Sequence, residues 1–185
     1  MMTALLSGCA GQPKMSKAEE LALAVRGEYL EMTQWTGKAS ITADYGRRVY
    51  RYELTAAGTE GETVLTVAAP EEVAGITARL MGTDSVLEYD GLSLETGTLN
   101  EDGLTPVSAI PALLDAARSG YITACALETE NTLLRVECGD PELPAGSGTV
   151  TTLWFDAGSG ALVRGEITVD GLRVILCEWT DFVYS

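Results

Sequence analysis

The sequence contains no histidine and only three lysines. Histidine is the commonest general base and metal ligand, and every Ser-His or Cys-His catalytic pair depends on it. Catalysis would therefore have to rest on carboxylates, tyrosine or lysine. The composition argues against an ordinary hydrolase, and no motif in the chain indicates a metal ion or another cofactor.

Positive charge is also scarce, because 12 lysines and arginines stand against 27 aspartates and glutamates, a net charge of −15. Nucleic-acid binding needs clustered basic residues, so this imbalance argues against it. It equally disfavours a protein that lies flat on an anionic bilayer. The acidic residues are scattered along the chain, which is typical of a solvated surface.

Long hydrophobic runs are missing as well. Beyond the N-terminus, no stretch reaches the roughly 18 apolar residues that a transmembrane helix needs. The 185 residues, 46% hydrophobic and 21% charged, are nevertheless typical of a globular protein of single-domain size. We therefore expect any membrane attachment to come from the N-terminus.

Leu6, Ser7, Gly8 and Cys9 resemble a bacterial lipobox, in which a peptidase cuts before a cysteine that then carries a lipid anchor. Only eight residues precede Cys9, fewer than the roughly 15–30 of a secretory signal, so we expect the signal to begin upstream. Residues 1–15 are predicted to be a signal remnant, lipobox and tether. This places the protein on the outer face of the bacterial cytoplasmic membrane. The alternative is a short disordered terminus whose cysteine has no role.

Three further cysteines, Cys125, Cys138 and Cys177, have a spacing that matches no metal-site pattern. Cys125 and Cys138 are symmetric about residues 131–132. In a hairpin with an even-length loop they would lie directly opposite each other, with Cα atoms ~4.5 Å apart, near the lower limit of disulfide geometry. A Cys125–Cys138 disulfide is one interpretation, and a pair of small apolar core residues is the other.

The hydrophobic periodicity changes along the chain. Behind Ser16, which begins a capping-box pattern, apolar residues recur every three or four positions and predict a helix that ends near residue 34. From Trp35 the period is two, typical of short antiparallel strands up to about residue 95. Ser108 as N-cap and Gly120 as end signal predict a second helix between them, and alternating strands follow it.

These elements predict how the chain folds. A helix with one apolar stripe needs a surface to lie against, and alternation on so many strands indicates a sheet with one covered face. The sequence has no internal repeat and no domain boundary, so residues 16–185 are predicted to form one domain. The expected class is α+β, with a curved antiparallel sheet, an open half-barrel, wrapped around two helices.

This layout resembles the LolA/LolB-like lipoprotein superfamily, whose members are open β-barrels with helices in the opening. The matching features are the helix leading into residues 35–41 and the segment 70–91. The best match is residues 154–167 followed by residues 174–182, which look like the closing hairpin of the family. The resemblance covers most of residues 16–184.

The resemblance implies a concave apolar pocket that can hold acyl chains. Such a pocket needs apolar side chains on its inward face and no specific catalytic group. The same side chains could instead simply pack beneath the helices. The candidate ligand-binding residues are Leu65, Val67, Ile76, Leu80, Leu87, Leu153 and Phe155.

Two other functions compete with ligand binding. The resemblance extends to lipid-anchored germination lipoproteins of spore-forming bacteria, which support a cell-wall amidase, so a membrane-tethered scaffold for an envelope protein is the alternative. An enzyme with paired carboxylates would draw on Glu128, Glu130, Asp156 or Asp170, but these acids lie at predicted turns and are more simply solvated. We therefore expect a lipid-anchored binding protein that is not an enzyme.

Overall fold

The computed structural model describes residues 15–82, 84–96 and 103–185. They form two α-helices, α1 (Lys17–Glu31) and α2 (Pro106–Ser119), and one sheet of 12 antiparallel strands. The strands are β1 (Gln34–Asp44), β2 (Val49–Thr59), β3 (Thr63–Ala69), β4 (Thr77–Met81), β5 (Asp84–Tyr89), β6 (Leu92–Glu95), β7 (Ile122–Glu128), β8 (Leu133–Cys138), β9 (Thr149–Asp156), β10 (Leu162–Val169), β11 (Leu172–Trp179) and β12 (Val183–Tyr184).

Helix α1 begins at the capping box that the sequence predicts. The Ser16 hydroxyl accepts the backbone N–H of Glu19, and the Glu19 carboxylate accepts the N–H of Ser16. The helix ends at Glu31, earlier than predicted, because β1 already begins at Gln34.

Helix α2 begins at Pro106, three residues earlier than an N-cap at Ser108 predicts. Its N-cap is Thr105, whose hydroxyl accepts the N–H of Ser108 at 3.2 Å, while the Ser108 hydroxyl accepts the N–H of Thr105. Ser108 is therefore the third helical residue of a capping box and not the cap itself.

The strand order shows how the two halves of the sheet join. It runs β6-β5-β4-β3-β2-β1-β11-β10-β9-β8-β7, with β12 paired to β1 off this path. Strand β1 pairs with β11 and so connects the N-terminal meander to the C-terminal one. Among the described strands the two edges, β6 and β7, do not pair with each other, so the sheet stays open. The predicted α+β half-barrel is confirmed.

The helices cover mainly the C-terminal half of this sheet. Helix α1 contacts β7 and β8, whereas α2 contacts β1, β9, β10 and β11. On the buried face of α1, Tyr29 packs edge-on against Phe155 of β9 with ring centroids 5.3 Å apart. Its hydroxyl donates to the Gly160 carbonyl at 3.2 Å. Beneath α2, Leu113 lies so close to Gly165 that a Cβ there would be 2.7 Å from its Cδ2. The strands β2–β6 are left with less helix above them.

The β7–β8 hairpin contains the two cysteines that were considered for a disulfide. Its turn at Thr129–Asn131 sets a register in which Cys125 lies opposite Val136, and Cys138 lies opposite Ile122. The cysteines are thus diagonal neighbours, for which a Cα–Cα separation of about 7–8 Å is typical, whereas the Cα atoms of a disulfide usually lie about 4.4–6.8 Å apart. Both are free thiols in the structure, and the predicted direct opposition is wrong.

The N-terminal predictions concern another part of the chain. Cys9 and the lipobox lie outside the described residues, so the lipid anchor stays a prediction. No helix in the described ranges is long and apolar enough to cross a lipid bilayer.

Candidate functional site

An apolar cleft of about 230 Å³ opens between strands β2–β5 and the first turn of α2. One lining residue, Tyr52, has a polar group on its side chain, and the other lining side chains are hydrocarbon. We call this space the apolar cleft. Its lining residues are Tyr52, Leu54, Leu65, Val67, Val73, Ile76, Ala78, Leu87, Pro106 and Val107.

The floor of the apolar cleft is a row of side chains that the strand register aligns. Leu65 on β3 lies opposite Ala78 on β4, which lies opposite Leu87 on β5. Since side chains of directly paired residues point to the same face, all three share one face of the sheet. The small Ala78 between two leucines leaves room above the floor.

The connection between β3 and β4 forms one wall. The Val67 N–H donates to the Ile76 carbonyl at 2.9 Å, and the Gly75 N–H donates to the Val67 carbonyl at 2.8 Å. These bonds fold the connection, with its 3-10 turn at Glu71–Val73, back over the end of β3. Gly75 has φ +89°, a conformation that favours glycine. The fold-back places Val73 and Ile76 in the wall.

The start of α2 forms the facing wall, with Pro106 and Val107. This end of the helix is attached to the β1–β2 hairpin, because the Tyr45 hydroxyl donates to the Leu104 carbonyl at 2.8 Å. This contact connects the residue before the Thr105 cap to the hairpin. The apolar cleft is therefore assembled from segments that are distant in sequence.

The structure separates the seven predicted ligand-binding residues. Leu65, Val67, Ile76 and Leu87 line the apolar cleft. Leu80 is buried on β4 but is not part of the lining. Leu153 and Phe155 are 0% and 2% exposed and lie beneath the helices, where the space among the side chains is only about 10 Å³. For these two residues the packing interpretation is the one that the structure supports.

Sequence reasoning missed six lining residues. The alternation on β2 carried a signal for two of them, because Tyr52 and Leu54 share a face with the predicted floor. Alternation also carried a signal for Ala78, which lies between the predicted Ile76 and Leu80. Nothing local distinguished the remaining three, since their position depends on how the β3–β4 connection and α2 fold back. The missed residues are Tyr52, Leu54, Val73, Ala78, Pro106 and Val107.

Two other clefts have mixed linings. A shallow groove of about 560 Å³ at the start of β1 includes Gln34, Glu62, Val64 and Ser185, and we call it the outer groove. A cleft of about 370 Å³ beside α1 includes Lys17 and other polar residues. Neither combines an apolar lining with few polar groups, the usual character of a small-molecule site.

The carboxylates considered for catalysis do not form one site. Asp156 accepts hydrogen bonds from the hydroxyl and the backbone N–H of Ser159 within the β9–β10 turn, and these bonds lower its pKa. Glu128 accepts a hydrogen bond from the Trp154 indole, whereas Asp170 lies beyond the other end of β10 and accepts the N–H of Gly148. No group of His, Cys, Asp or Glu side chains in the described ranges could hold a metal ion.

No protein-family model matches the chain, and no curated protein matches it. Among solved structures, an uncharacterized conserved protein from Thermus thermophilus has a TM-score of 0.53 at 7% identity, over 92% of this chain and 88% of that one. The structure of the CwlD amidase from Clostridioides difficile in complex with the GerS lipoprotein has a TM-score of 0.49 at 15% identity, over 95% of this chain and 100% of that one. A LolA superfamily protein from Nitrosomonas europaea has a TM-score of 0.45 at 10% identity, over 91% of this chain and 93% of that one.

At such low identities the similarity is one of fold. The two helices and the open antiparallel sheet form the predicted half-barrel, and the TM-score of 0.53 shows that the Thermus thermophilus protein shares this fold. The ligand and the partner have to be inferred from this chain's own residues.

Proposed function

We propose that the protein binds an apolar ligand, such as an acyl chain, in the apolar cleft and that it is not an enzyme. The observation that carries the proposal is the lining itself, with nine hydrocarbon side chains and the single tyrosine Tyr52. Transfer of a hydrocarbon chain from water into such a site is favourable by about 0.8 kcal/mol for each buried methylene. No charged side chain of the lining would have to be desolvated.

The volume limits how much of a ligand the apolar cleft holds. About 230 Å³ exceeds the roughly 150 Å³ of an apolar cavity that accepts benzene, but it is below the roughly 300–1,000 Å³ typical of drug-sized ligands. A single chain segment fits this space, and the polar end of the ligand would stay in water. Leu94 lies opposite Leu87 and is 64% exposed, so the apolar surface continues beyond the cleft onto β6.

The direct test is binding of a dansyl-labelled fatty acid to the full chain. We expect saturable binding of one probe per chain with blue-shifted emission, and a bound lipid in native mass spectra of the protein as purified. A chain that is correctly folded by circular dichroism but leaves the emission unchanged would refute the proposal.

The location belongs to the same proposal. A lipid anchor on Cys9 would hold the protein on the outer face of the bacterial cytoplasmic membrane, and the support for it is the lipobox pattern of residues 6–9. Metabolic labelling of the full-length gene product with an alkyne fatty acid tests it. We expect labelled protein in the membrane fraction and none for Cys9→Ser, whereas equal labelling of both would contradict an anchor at this residue.

A second candidate function, a tethered scaffold for an envelope protein such as a cell-wall amidase, is favoured by the β6 edge. All four residues of β6 are exposed, including Leu92 at 76%, and a strand edge can pair with a strand of a partner. A photo-crosslinking residue at Ser93 tests it in cells. One dominant protein adduct, together with no binding of the fatty acid, would favour the scaffold.

A further inference from the structure

The tip of the β1–β2 hairpin differs in charge from the rest of the protein. Residues 44–52, which we call the basic hairpin, contain the arginines Arg47, Arg48 and Arg51 and one acid, Asp44. Three positive charges and one negative charge give a local charge of +2, in a chain whose net charge is −15. A quarter of the 12 basic residues thus lie within five positions.

These three arginines are exposed at the surface of the protein. Within the described ranges none of the three forms an ion pair with a carboxylate, and Arg48 donates only a long hydrogen bond of 3.5 Å to the Tyr50 hydroxyl. Five arginines elsewhere are neutralised by neighbouring acids. Those that form ion pairs are Arg79, Arg118, Arg135, Arg164 and Arg173.

Exposed apolar and aromatic side chains accompany the charges. Tyr45, Val49 and Tyr50 are 46%, 45% and 36% exposed, and the two tyrosine rings have centroids 6.0 Å apart. Tyrosine has an apolar ring and a polar hydroxyl, and it is enriched where a membrane meets water. Arginines beside such rings add attraction to anionic head groups.

The basic hairpin adjoins the apolar cleft. Tyr50 and Tyr52 share a face of β2, since they are two positions apart, and Tyr52 lines the cleft. On the other side, Tyr45 bonds to the Leu104 carbonyl, directly before the α2 residues that form the facing wall. A surface that contacts the hairpin would therefore lie beside the cleft.

We propose that the basic hairpin docks this protein onto the surface of an anionic phospholipid membrane. Charges more than about 8 Å away are largely screened at physiological ionic strength, so docking depends on the charges close to the hairpin and not on the net charge of the chain. Docking requires no ligand in the apolar cleft, and the inference therefore goes beyond the proposed function. It would, however, bring the cleft next to a source of acyl chains.

The test is co-sedimentation of the full chain with lipid vesicles, with Cys9→Ser present throughout so that no lipid anchor contributes. One set of vesicles contains phosphatidylcholine alone, and the other contains equal amounts of phosphatidylcholine and phosphatidylglycerol. We expect binding only to the mixed vesicles and weaker binding as salt rises. The double variant Arg47→Gln/Arg48→Gln should bind about 30-fold more weakly, from the contribution of two basic residues near an anionic surface.

The matched control is Lys17→Gln/Lys38→Gln, which changes the net charge equally at exposed positions away from the hairpin. It should bind within about twofold of the parent chain. Equal losses in both double variants, or equal binding to the two vesicle types, would overturn the proposal. Crosslinking of the basic hairpin to an acidic protein, without vesicle binding, would overturn it in favour of a protein partner. Dansyl fatty acid binding without vesicles should be unchanged by Arg47→Gln/Arg48→Gln, so this inference can fail while the proposed function stands.

Discussion

Replacement of Val67 by phenylalanine should block the apolar cleft. Val67 is half-buried on β3, and its side chain is part of the lining. A larger apolar side chain at this position can extend into the open space and need not displace packed neighbours. Phenylalanine is also well suited to a strand, so we expect Val67→Phe to fold.

The magnitude follows from the atoms that the substitution adds. Phenylalanine has four more side-chain carbons than valine, and they would occupy space that the ligand otherwise fills. At about 0.8 kcal/mol for each buried methylene, the loss of four such groups costs about 3 kcal/mol of binding free energy. We therefore expect the dissociation constant of a dansyl-labelled fatty acid to rise about 200-fold.

The matched control is Val64→Phe on the same strand. Val64 is three positions away, so its side chain points to the other face of the sheet, where it lines the outer groove. The same probe titration should give a dissociation constant within about twofold of wild type for this variant. Circular dichroism and thermal unfolding of both variants would show that the comparison is between folded proteins.

The reasoning would be refuted by either of two results. If Val67→Phe binds the probe as tightly as wild type, the ligand does not occupy the apolar cleft. If Val64→Phe loses the affinity instead, the ligand lies in the outer groove, and the lining of the apolar cleft has a purely structural role.

Three further predictions concern stability and the thiols. Leu113→Ala should lower the free energy of unfolding by about 2.7–5.0 kcal/mol in equilibrium urea unfolding, because Leu113 is 0% exposed; a loss below about 1 kcal/mol would contradict its place in the core. In Cys9→Ser protein, Ellman's reagent should count three thiols after unfolding without reductant, and a count of one would indicate a disulfide; in the native state Cys125 should react before Cys138, because Cys125 is partly exposed whereas Cys138 is buried. Asp156 has a lowered pKa, so its contribution to stability is complete above the unfolded pKa of about 3.9 and is lost as pH falls through the lower folded pKa. The stability difference between wild type and Asp156→Asn should thus shrink below about pH 4, and a constant difference would contradict this assignment.

Much of the architecture could be predicted from local signals. The capping box at Ser16 fixes the start of α1, and the glycine of each two-residue turn, such as Asp90 and Gly91 with φ values of 50° and 76°, fixes a hairpin. Alternating side chains then give most strands one more buried and one more exposed face. These signals act over a few residues, which is why they can be read without the tertiary structure.

The register of the β7–β8 hairpin and the lining of the apolar cleft could not be predicted from local signals. The turn after β7 has three residues in left-handed conformations, which shifted the hairpin and separated Cys125 from Cys138. The same inward pattern that marks Leu87 as a cleft residue also marks Leu153, which lies beneath α2. An inward-facing side chain lines a cavity or fills a core depending on what lies above it.

The sequence by itself determined the fold class, the two segments of the chain that are helical and the acidic, histidine-free composition. Capping and periodicity are properties of neighbouring residues, and composition needs no structure at all. Only the tertiary structure decided which strands of the sheet the helices cover. They cover the C-terminal strands and leave open space above Leu65, Ala78 and Leu87. It also joined the basic hairpin to the residue before α2, through a hydrogen bond between Tyr45 and a residue 59 positions away. Such contacts depend on how distant segments pack, and no local pattern encodes them.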